Sequence, residues 1–423
     1  MTKQFLLLAL TALLCTTTSA QSMKEEIQKD FNRSASNYTA YIVPEADYKL
    51  TPAPKGYEPF YLSHYGRHGS RWLIGKGDFT DPIDILTQAD HYGKLTPDGK
   101  KTLNLVSSFY DKSKDRLGDL TKLGERQHHG IGKRMTEHFP EIFSGNVYVD
   151  ARSTVVIRCI LSMIAECEEL MAFNPKMRIH NDASECYQYY LNAPRPDKVK
   201  EAIKDSRSII NDYRLRYVHP ERFCKQLFND QAYVANNINA MRLMTELFAV
   251  AANMQSHDDG PSLWYLFTAD ECYDLWRVNN IDWYLRYAAA PATGSLAPFS
   301  QVELLRNFIS TADTIVSGHH KGATLRFGHE VVVMPLSCLM ELGNSATLVD
   351  DLDKLDSQWV NYRIFMMASN IQLVFYRPKK GNGDILVKAL LNEREVSLPV
   401  KTNMAPYYKW DDLRTYYLNK IDN

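Results

Sequence analysis

Three short apolar segments constrain the fold of this chain more than any other feature. They span residues 58–64, 146–150 and 323–327, and their length and composition predict buried strands. Helical patterns lie between them, and strands that alternate with helices favour a mainly parallel sheet with helices on both faces. The sequence therefore predicts an α/β fold. In such sheets ligands bind beyond the carboxyl ends of the strands, so the residues that directly follow each segment are candidates for one shared site.

A helical region interrupts this alternation. From about residue 182 to 293 the strand signals vanish, aromatic residues become dense and helical patterns dominate. We predict an α-helical cap, residues 182–293, inserted between two parts of an α/β core, residues 21–181 and 294–423. Near the end, residues 370–376 and 385–390 predict an antiparallel hairpin.

Local capping signals predict where three of the core helices begin. Thr96 and Thr121 each precede a helical pattern, and their side chains are good N-caps. Ser153 and Thr154 are expected to cap a longer helix over residues 155–171. That placement puts the preceding arginine at a helix N-terminus.

The first 20 residues have the pattern of a signal peptide. Lys3 supplies positive charge, an apolar stretch follows, and small residues lead to a predicted cleavage after Ala20. The stretch is too short to span a bilayer. A lipoprotein anchor at Cys15 is the alternative, but the preceding Leu14 is bulky where a small residue is expected. We expect export to the periplasm or the extracellular medium, with no stable membrane span.

Charge and cysteine content restrict the partners. Lys plus Arg (49) nearly equals Asp plus Glu (50), which gives no reason to expect nucleic acid or an anionic membrane surface as a partner. Any anion specificity must therefore come from a local cluster. Six cysteines follow the predicted signal peptide, none with metal-site spacing, so disulfides and buried free thiols both remain open. The oligomeric state is not determined by the sequence.

The segment directly after the first predicted strand has the strongest chemical pattern. It runs Arg67-His68-Gly69-Ser70-Arg71 and places two guanidinium groups around an imidazole. Guanidinium groups bind phosphate oxygens in a bidentate way and stay charged at any working pH. Their charge disfavours protonation of His68, which keeps its imidazole available as a nucleophile. Gly69 is expected to let the backbone approach a phosphate closely.

Two further candidates follow the other predicted strands. Arg152 is expected at a helix N-terminus, where backbone N–H groups and the helix dipole favour an anion. His329-Glu330 pairs a hydrogen-bond donor with a carboxylic acid able to protonate a leaving alkoxide. Val333 occupies the position of the second histidine in a His-Glu-x-x-His pattern, so a zinc protease site is not supported. Arg158 is interpreted as structural.

In these residues the chain resembles the histidine acid phosphatases, in the branch that contains phytases and multiple inositol polyphosphate phosphatases. The resemblance rests on an ordered set of segments: residues 67–71, 120–127, 151–154 with Arg158, and 328–330. It implies that His68 is phosphorylated as the nucleophile and that Glu330 is the proton donor. The phosphate would be bound by Arg67, Arg71, Arg152 and His329. No metal ion and no organic cofactor are implied.

The resemblance is imperfect at the proton donor and leaves the substrate open. The family commonly has His-Asp, and the inositol polyphosphate branch His-Ala-Glu, whereas this chain has His329-Glu330-Val331. The C-terminal region favours phytate-like substrates, for which Lys76, Arg126 and Lys133 are candidate extra cations or plain surface charges. The alternatives are a broad acid phosphatase acting on sugar phosphates or nucleotides, and a non-catalytic phosphate-binding protein.

Overall fold

The architecture is that of a computed structural model, which describes residues 22–258 and 260–422. The predicted signal peptide, residues 1–20, lies outside the described residues. The strands, β1 to β8 in chain order, are Tyr57–Arg67, Tyr148–Ser153, Arg178–Ala183, Gly322–Gly328, Asn370–Pro378, Leu386–Leu391, Arg394–Val396 and Tyr408–Lys409. The three predicted core strands and both hairpin strands are present, and β3 is a strand that the sequence pattern did not indicate.

All these strands belong to one mixed sheet. Its order is β3-β2-β4-β1-β5-β6-β7, and β8 pairs with β6. The first four strands of this order run parallel, whereas β5 pairs antiparallel to β1 and begins the C-terminal antiparallel part. The parallel strands β2, β4 and β1 therefore end side by side at one edge of the sheet, as expected for a ligand site in an α/β fold.

The α-helices of the described residues are numbered α1 to α17 in chain order. They are Met23–Lys29, Gly77–His91, Pro97–Ser113, Lys122–His138, Pro140–Phe143, Ile157–Phe173, Gln188–Leu191, Asp197–Ala202, Ser206–Tyr217, Glu221–Leu227, Gln231–Asn237, Ala240–Met254, Ala269–Tyr287, Val302–Ser317, Glu330–Leu339, Asn361–Phe365 and Trp410–Asp422. Shorter 3₁₀ segments include Phe31–Tyr38, which precedes β1.

Helices cover both faces of the sheet. Each buried strand presents apolar side chains on both faces, because successive strand residues point to opposite sides. In β5, Ile371 and Phe375 belong to one hydrophobic core, whereas Val374 belongs to the other. The smaller core packs the sheet against α4, α5 and α6. The larger core packs the opposite face against α14, α15 and α17 and continues into the helical region. The predicted α/β architecture with helices on both faces is confirmed.

Two of the three predicted helix caps are present. Thr96 and Thr121 accept hydrogen bonds from the backbone N–H of Gly99 and Gly124, as predicted. The predicted cap of the next core helix is wrong, since Ser153 still belongs to β2 and α6 begins at Ile157 with no side-chain cap. Strand β2 thus continues three residues beyond its predicted end.

Between β3 and α14 the described chain contains helices α7 to α13 and short 3₁₀ segments. This matches the helical character expected for residues 182–293, while the division into a core and an inserted cap stays a prediction. The six cysteines of the described region are all free thiols, five of them buried. No helix within residues 22–258 and 260–422 is both long and apolar enough to cross a membrane.

Candidate active site

The site lies where β1 and β4 end as parallel neighbours. Arg67, the last residue of β1, is in register with Gly328, the last residue of β4. The next residues, His68 and His329, are therefore adjacent, with ring centroids 5.6 Å apart. Strand pairing thus brings together two segments that are about 260 residues apart in the chain.

The imidazole of His68 presents an unpaired ring nitrogen to the site. Its Nδ1 lies 2.9 Å from the carbonyl oxygen of Gly69, and because a carbonyl only accepts, Nδ1 carries the proton. Nε2 therefore holds a free lone pair, and it is buried without a hydrogen-bond partner. Burial, with the positive charges of Arg67, Arg158 and Arg71, holds the pKa of His68 well below its usual value of 6.5. The ring is neutral at ordinary pH.

Two motif arginines present buried donors with spare hydrogen-bonding capacity. Arg67 donates from NH1 to the carbonyls of Asn37 (2.7 Å) and Phe365 (2.8 Å), while its NH2 has no partner. Arg71 donates from NH1 to the carbonyl of Trp72 at 2.9 Å, while its Nε has none. Buried donors left unpaired cost roughly 1–3 kcal/mol each. A bound phosphate would satisfy them.

Glu330 is the first residue of α15 and faces the motif. Its Oε2 lies 3.1 Å from Arg67 Nε and 3.7 Å from His68 Nε2. Burial alone would raise the pKa of this carboxyl, but the charges of Arg67 and Arg71 lower the pKa to about 2. Glu330 is thus ionised when the site is empty.

His329 directly precedes that helix. Its Nε2 lies 3.4 Å from Thr154 Oγ1, and burial lowers the pKa of its ring to about 4, against the charge of Glu330. A neutral imidazole still provides one N–H donor for a phosphate oxygen.

Arg152 is not brought to this cluster. Because strand residues alternate in direction, Ala151 faces the core that contains α6 and Arg152 faces the opposite side. There its guanidinium donates to Asp150 (Nε–Oδ2 2.8 Å) and lies 4.1 Å from the ring centre of Tyr187. The predicted placement of Arg152 at a helix N-terminus is therefore wrong, since β2 extends through it.

Arg158 is the arginine that the sequence analysis missed. It lies in the first turn of α6, is half-buried, and donates to the carbonyl of Gly118 at 3.3 Å, with its Nε unpartnered. Its charge lowers the pKa values of both His68 and His329. Arg158 lies six residues after Arg152. The only sequence signal that placed Arg158 near the site was its position in the ordered set of segments on which the family resemblance rests.

Helix α4 holds the motif loop. The backbone N–H of Ser70 donates to Gln127 Oε1 at 2.8 Å, and Thr121 donates to the Ser70 carbonyl. A Cβ added to Gly69 would lie 2.3 Å from the carbonyl oxygen of Gly124. Gly69 is therefore required by the close approach of α4, and the predicted close approach of its backbone to a phosphate stays a prediction.

The other candidate cations do not join the described site. Arg126 forms an ion pair with Asp258, and Lys76 and Lys133 are exposed. Ligand atoms of His68, His329 and Glu330 lie within 4.8 Å of one another, a spacing that a metal ion would accept. The guanidinium groups around them make the field positive, which favours an anion over a cation.

Comparison with known proteins gives structural relatives only: no family model and no curated protein sequence matches this chain. A multiple inositol polyphosphate phosphatase of Bifidobacterium longum, solved with inositol hexasulfate, superposes with a TM-score of 0.72 at 18% identity, covering 91% of this chain and 97% of that one. A phytase of D. castellii gives 0.71 at 14% identity, covering 92% and 85%. A Hafnia alvei phytase in complex with myo-inositol hexakis sulphate gives 0.53 at 12% identity, covering 87% and 98%. At these identities the likeness shows the fold.

Proposed function

We propose that this chain is an exported phosphomonoesterase that transfers the phosphoryl group of an ester first to His68 and then to water. The observation that carries the proposal is the buried, unprotonated Nε2 of His68 at the carboxyl edge of a parallel sheet, within the positive field of Arg67, Arg71 and Arg158. Phosphoryl transfer requires little beyond an in-line nucleophile and charge neutralisation on the phosphoryl oxygens.

In the first step, the non-bridging oxygens accept hydrogen bonds from Arg67, Arg71, Arg158 and His329. The Nε2 lone pair of His68 attacks phosphorus, a P–N bond forms, and the P–O bond to the leaving alcohol breaks. Glu330 donates a proton to the departing oxygen. The Gly69 carbonyl, 2.9 Å from Nδ1, stabilises the positive charge that the phosphorylated ring acquires.

In the second step, water replaces the alcohol. The Glu330 carboxylate, left without its proton, accepts one from the attacking water. The new P–O bond forms as the P–N bond breaks, so the imidazole returns with its lone pair and inorganic phosphate leaves. Protons and charge balance over the two steps, because Glu330 donates once and accepts once.

We propose inositol polyphosphates as the substrates. Two structural relatives were solved with inositol hexasulfate. This compound is an analogue of phytate, with the same inositol ring and six anionic groups. A polyphosphate needs cations beyond those that hold the reacting group. Lys76, Arg126 and Lys133 do not supply them in this structure, so the broad phosphatase acting on sugar phosphates or nucleotides is retained as the second candidate.

A phosphate-release panel tests the proposal. Phytate, glucose phosphates and a nucleoside monophosphate are compared at equal concentration with the wild-type protein and with His68→Ala. We expect release from phytate to be fastest and the variant to be inactive. Radiolabelled phosphate trapped on the wild-type protein should be stable in base and labile in acid, as expected for a phosphohistidine. Undiminished hydrolysis of p-nitrophenyl phosphate by His68→Ala would refute the mechanism.

Export is tested separately. The full chain is expressed in a bacterial host with a Sec pathway, and the mass of the soluble product is measured. We expect a mature protein that begins at Gln21. Recovery of the intact chain in the cytoplasm would contradict export without affecting the enzymatic proposal.

A further inference from the structure

Behind the nucleophile loop lies a buried group of ionisable side chains that the reaction above does not use. His64 of β1, His128 of α4 and Glu166 of α6 all have fully buried side chains. A buried carboxylate is costly unless it is paired and hydrogen-bonded. Its retention beside the site therefore calls for a physical reason.

Two hydrogen bonds join His128 and Glu166 to the nucleophile loop, and His64 lies beside them without a hydrogen bond of its own side chain to either. His128 Nε2 lies 3.0 Å from the carbonyl oxygen of Arg67, the residue before the nucleophile. On the other side of the ring, Nδ1 lies 3.0 Å from Glu166 Oε2. The second carboxylate oxygen, Oε1, is 3.7 Å from His64 Nε2.

The partners determine where the protons are. A carbonyl only accepts, so Nε2 of His128 carries a proton. A second proton must lie between Nδ1 and Glu166, since otherwise a lone pair would face the carboxylate across 3.0 Å. The pair therefore holds one shared proton and is neutral overall. His64 adds no charge, because burial lowers its pKa to about 4. The positive charge of Arg326, on the neighbouring strand β4, acts in the same direction.

We propose that His128 and Glu166 act as a positioning pair: the proton they share locks the tautomer of His128, whose Nε2–H fixes the Arg67 carbonyl and with it the peptide that carries His68. This inference rests on the proposed function. The same peptide is held from another side, since His68 N–H donates to the Gly328 carbonyl, and the next peptide is held by Ala368 N–H, which donates to the His68 carbonyl. His128 completes the support from the α4 side.

Positioning matters here because in-line attack depends on the distance and direction of Nε2. A misplacement of about 1 Å can cost roughly 100-fold in rate. Loss of the pair should therefore reduce the rate of phosphohistidine formation more than substrate binding. The side chains of the three arginines proposed to hold the phosphate keep their own contacts.

Replacement of Glu166 by residues of similar size distinguishes an effect on the position of His68 from an effect on the stability of the fold. In Glu166→Gln the amide donates to Nδ1, which leaves Nε2–H directed at the Arg67 carbonyl, so we expect kcat within about threefold of wild type. Glu166→Leu removes the partner of Nδ1, and we expect kcat to fall about 100-fold with KM changed less than threefold.

The double variant His128→Phe/Glu166→Leu gives the sharpest test. Replacement of both buried polar partners by apolar groups of similar shape is close to neutral for stability. We expect the midpoint of thermal unfolding to return toward the wild-type value while kcat stays low. Lys388→Met breaks the ion pair between Lys388 of β6 and Glu395 of β7, away from the site. It is the control for loss of stability alone, and its kcat should be unchanged.

Three outcomes would overturn the inference. They are recovery of kcat together with stability in the double variant, an equal loss in Glu166→Gln and Glu166→Leu, and wild-type kcat in Glu166→Leu. In the wild type we also expect a ring-proton NMR signal shifted far downfield, which Glu166→Gln should lose. A wild-type protein that forms no phosphohistidine would instead refute the proposed function, and the NMR signal would still report on the pair.

Discussion

Glu330 Oε2 lies 3.7 Å from Nε2 of His68, within the space that a reacting phosphoryl group must enter. The same oxygen pairs with Arg67 Nε at 3.1 Å. The proton donor of the proposed reaction thus occupies part of the proposed anion site. Substrate has to displace the carboxylate from Arg67, and the displaced carboxyl then lies beside a phosphate dianion, which raises its pKa and lets it hold the proton that it donates.

Glu330→Gln is expected to separate anion binding from turnover. Without a competing negative charge, phosphate or vanadate should bind about tenfold more tightly, a change of roughly 1.4 kcal/mol. Turnover of an alkyl phosphate should fall by about 100-fold or more, since the leaving oxygen lacks its acid, and p-nitrophenyl phosphate should be much less affected. Calorimetric titration and steady-state kinetics measure the two effects. Equal losses for both kinds of substrate would argue against a donor role.

The pH dependence of kcat/KM follows from the same residue. Glu330 must be protonated to donate, and its pKa in the free enzyme is about 2. His68 is already unprotonated over the working range, because its pKa is lowered well below 6.5. We expect kcat/KM to decline as pH rises from about 5 to 8, by up to about tenfold per pH unit, with a substrate whose leaving group is poor. Glu330→Gln should flatten this slope, and a steep slope retained in the variant would assign it to another group.

Arg158 and Arg152 form a matched pair of arginines for mutation. Arg158 acts electrostatically on both site histidines, whereas Arg152 pairs with Asp150. We expect Arg158→Ala to lower kcat/KM by roughly 100–1,000-fold, as for removal of one donor that stabilises the transition state. Arg152→Ala should stay within about threefold of wild type. A larger loss of kcat/KM in Arg152→Ala than in Arg158→Ala would instead support the sequence-based prediction that Arg152 binds the phosphate.

Gly124 is expected to be intolerant of any side chain. A Cβ there would lie 2.2 Å from the Ser70 carbonyl oxygen, so α4 and the motif loop would have to separate. We expect Gly124→Ala to destabilise the fold by about 1–3 kcal/mol and to lower kcat. Gly130→Ala, on the same helix, is the control, because its added Cβ meets only the flexible end of Arg134. Thermal unfolding and kinetics on both variants measure the contrast, and equal behaviour would mean that the close approach of α4 is not required.

Part of the site was predictable because it depends on local sequence. The segment Arg67 to Arg71 follows a strand whose apolar residues are contiguous, and Gly328-His329-Glu330 follows another. Once those strands are placed in a parallel sheet, their carboxyl ends meet at one edge. That His68 and His329 lie at the same edge follows from this rule, whereas their direct proximity also requires that β1 and β4 pair as neighbours.

The position of Arg158 near the site, and of His128 and Glu166 behind the loop that carries His68, depended on tertiary structure. Strand β2 ends at Ser153 rather than at residue 150 because it pairs along its length with both β3 and β4, and pairing partners are not visible in a local pattern. That extension turns Arg152 to one face of the sheet and leaves Arg158, at the start of α6, on the other. His128 and Glu166 looked like ordinary helix residues, and only the packing of α4 and α6 behind β1 makes them partners. The sequence by itself thus determined the motif around His68 and its strand-end position, because strand formation and the direction of a strand's end are local properties. The tertiary structure decided which charges surround and support it, because those charges are set by pairing and packing between elements far apart in the chain.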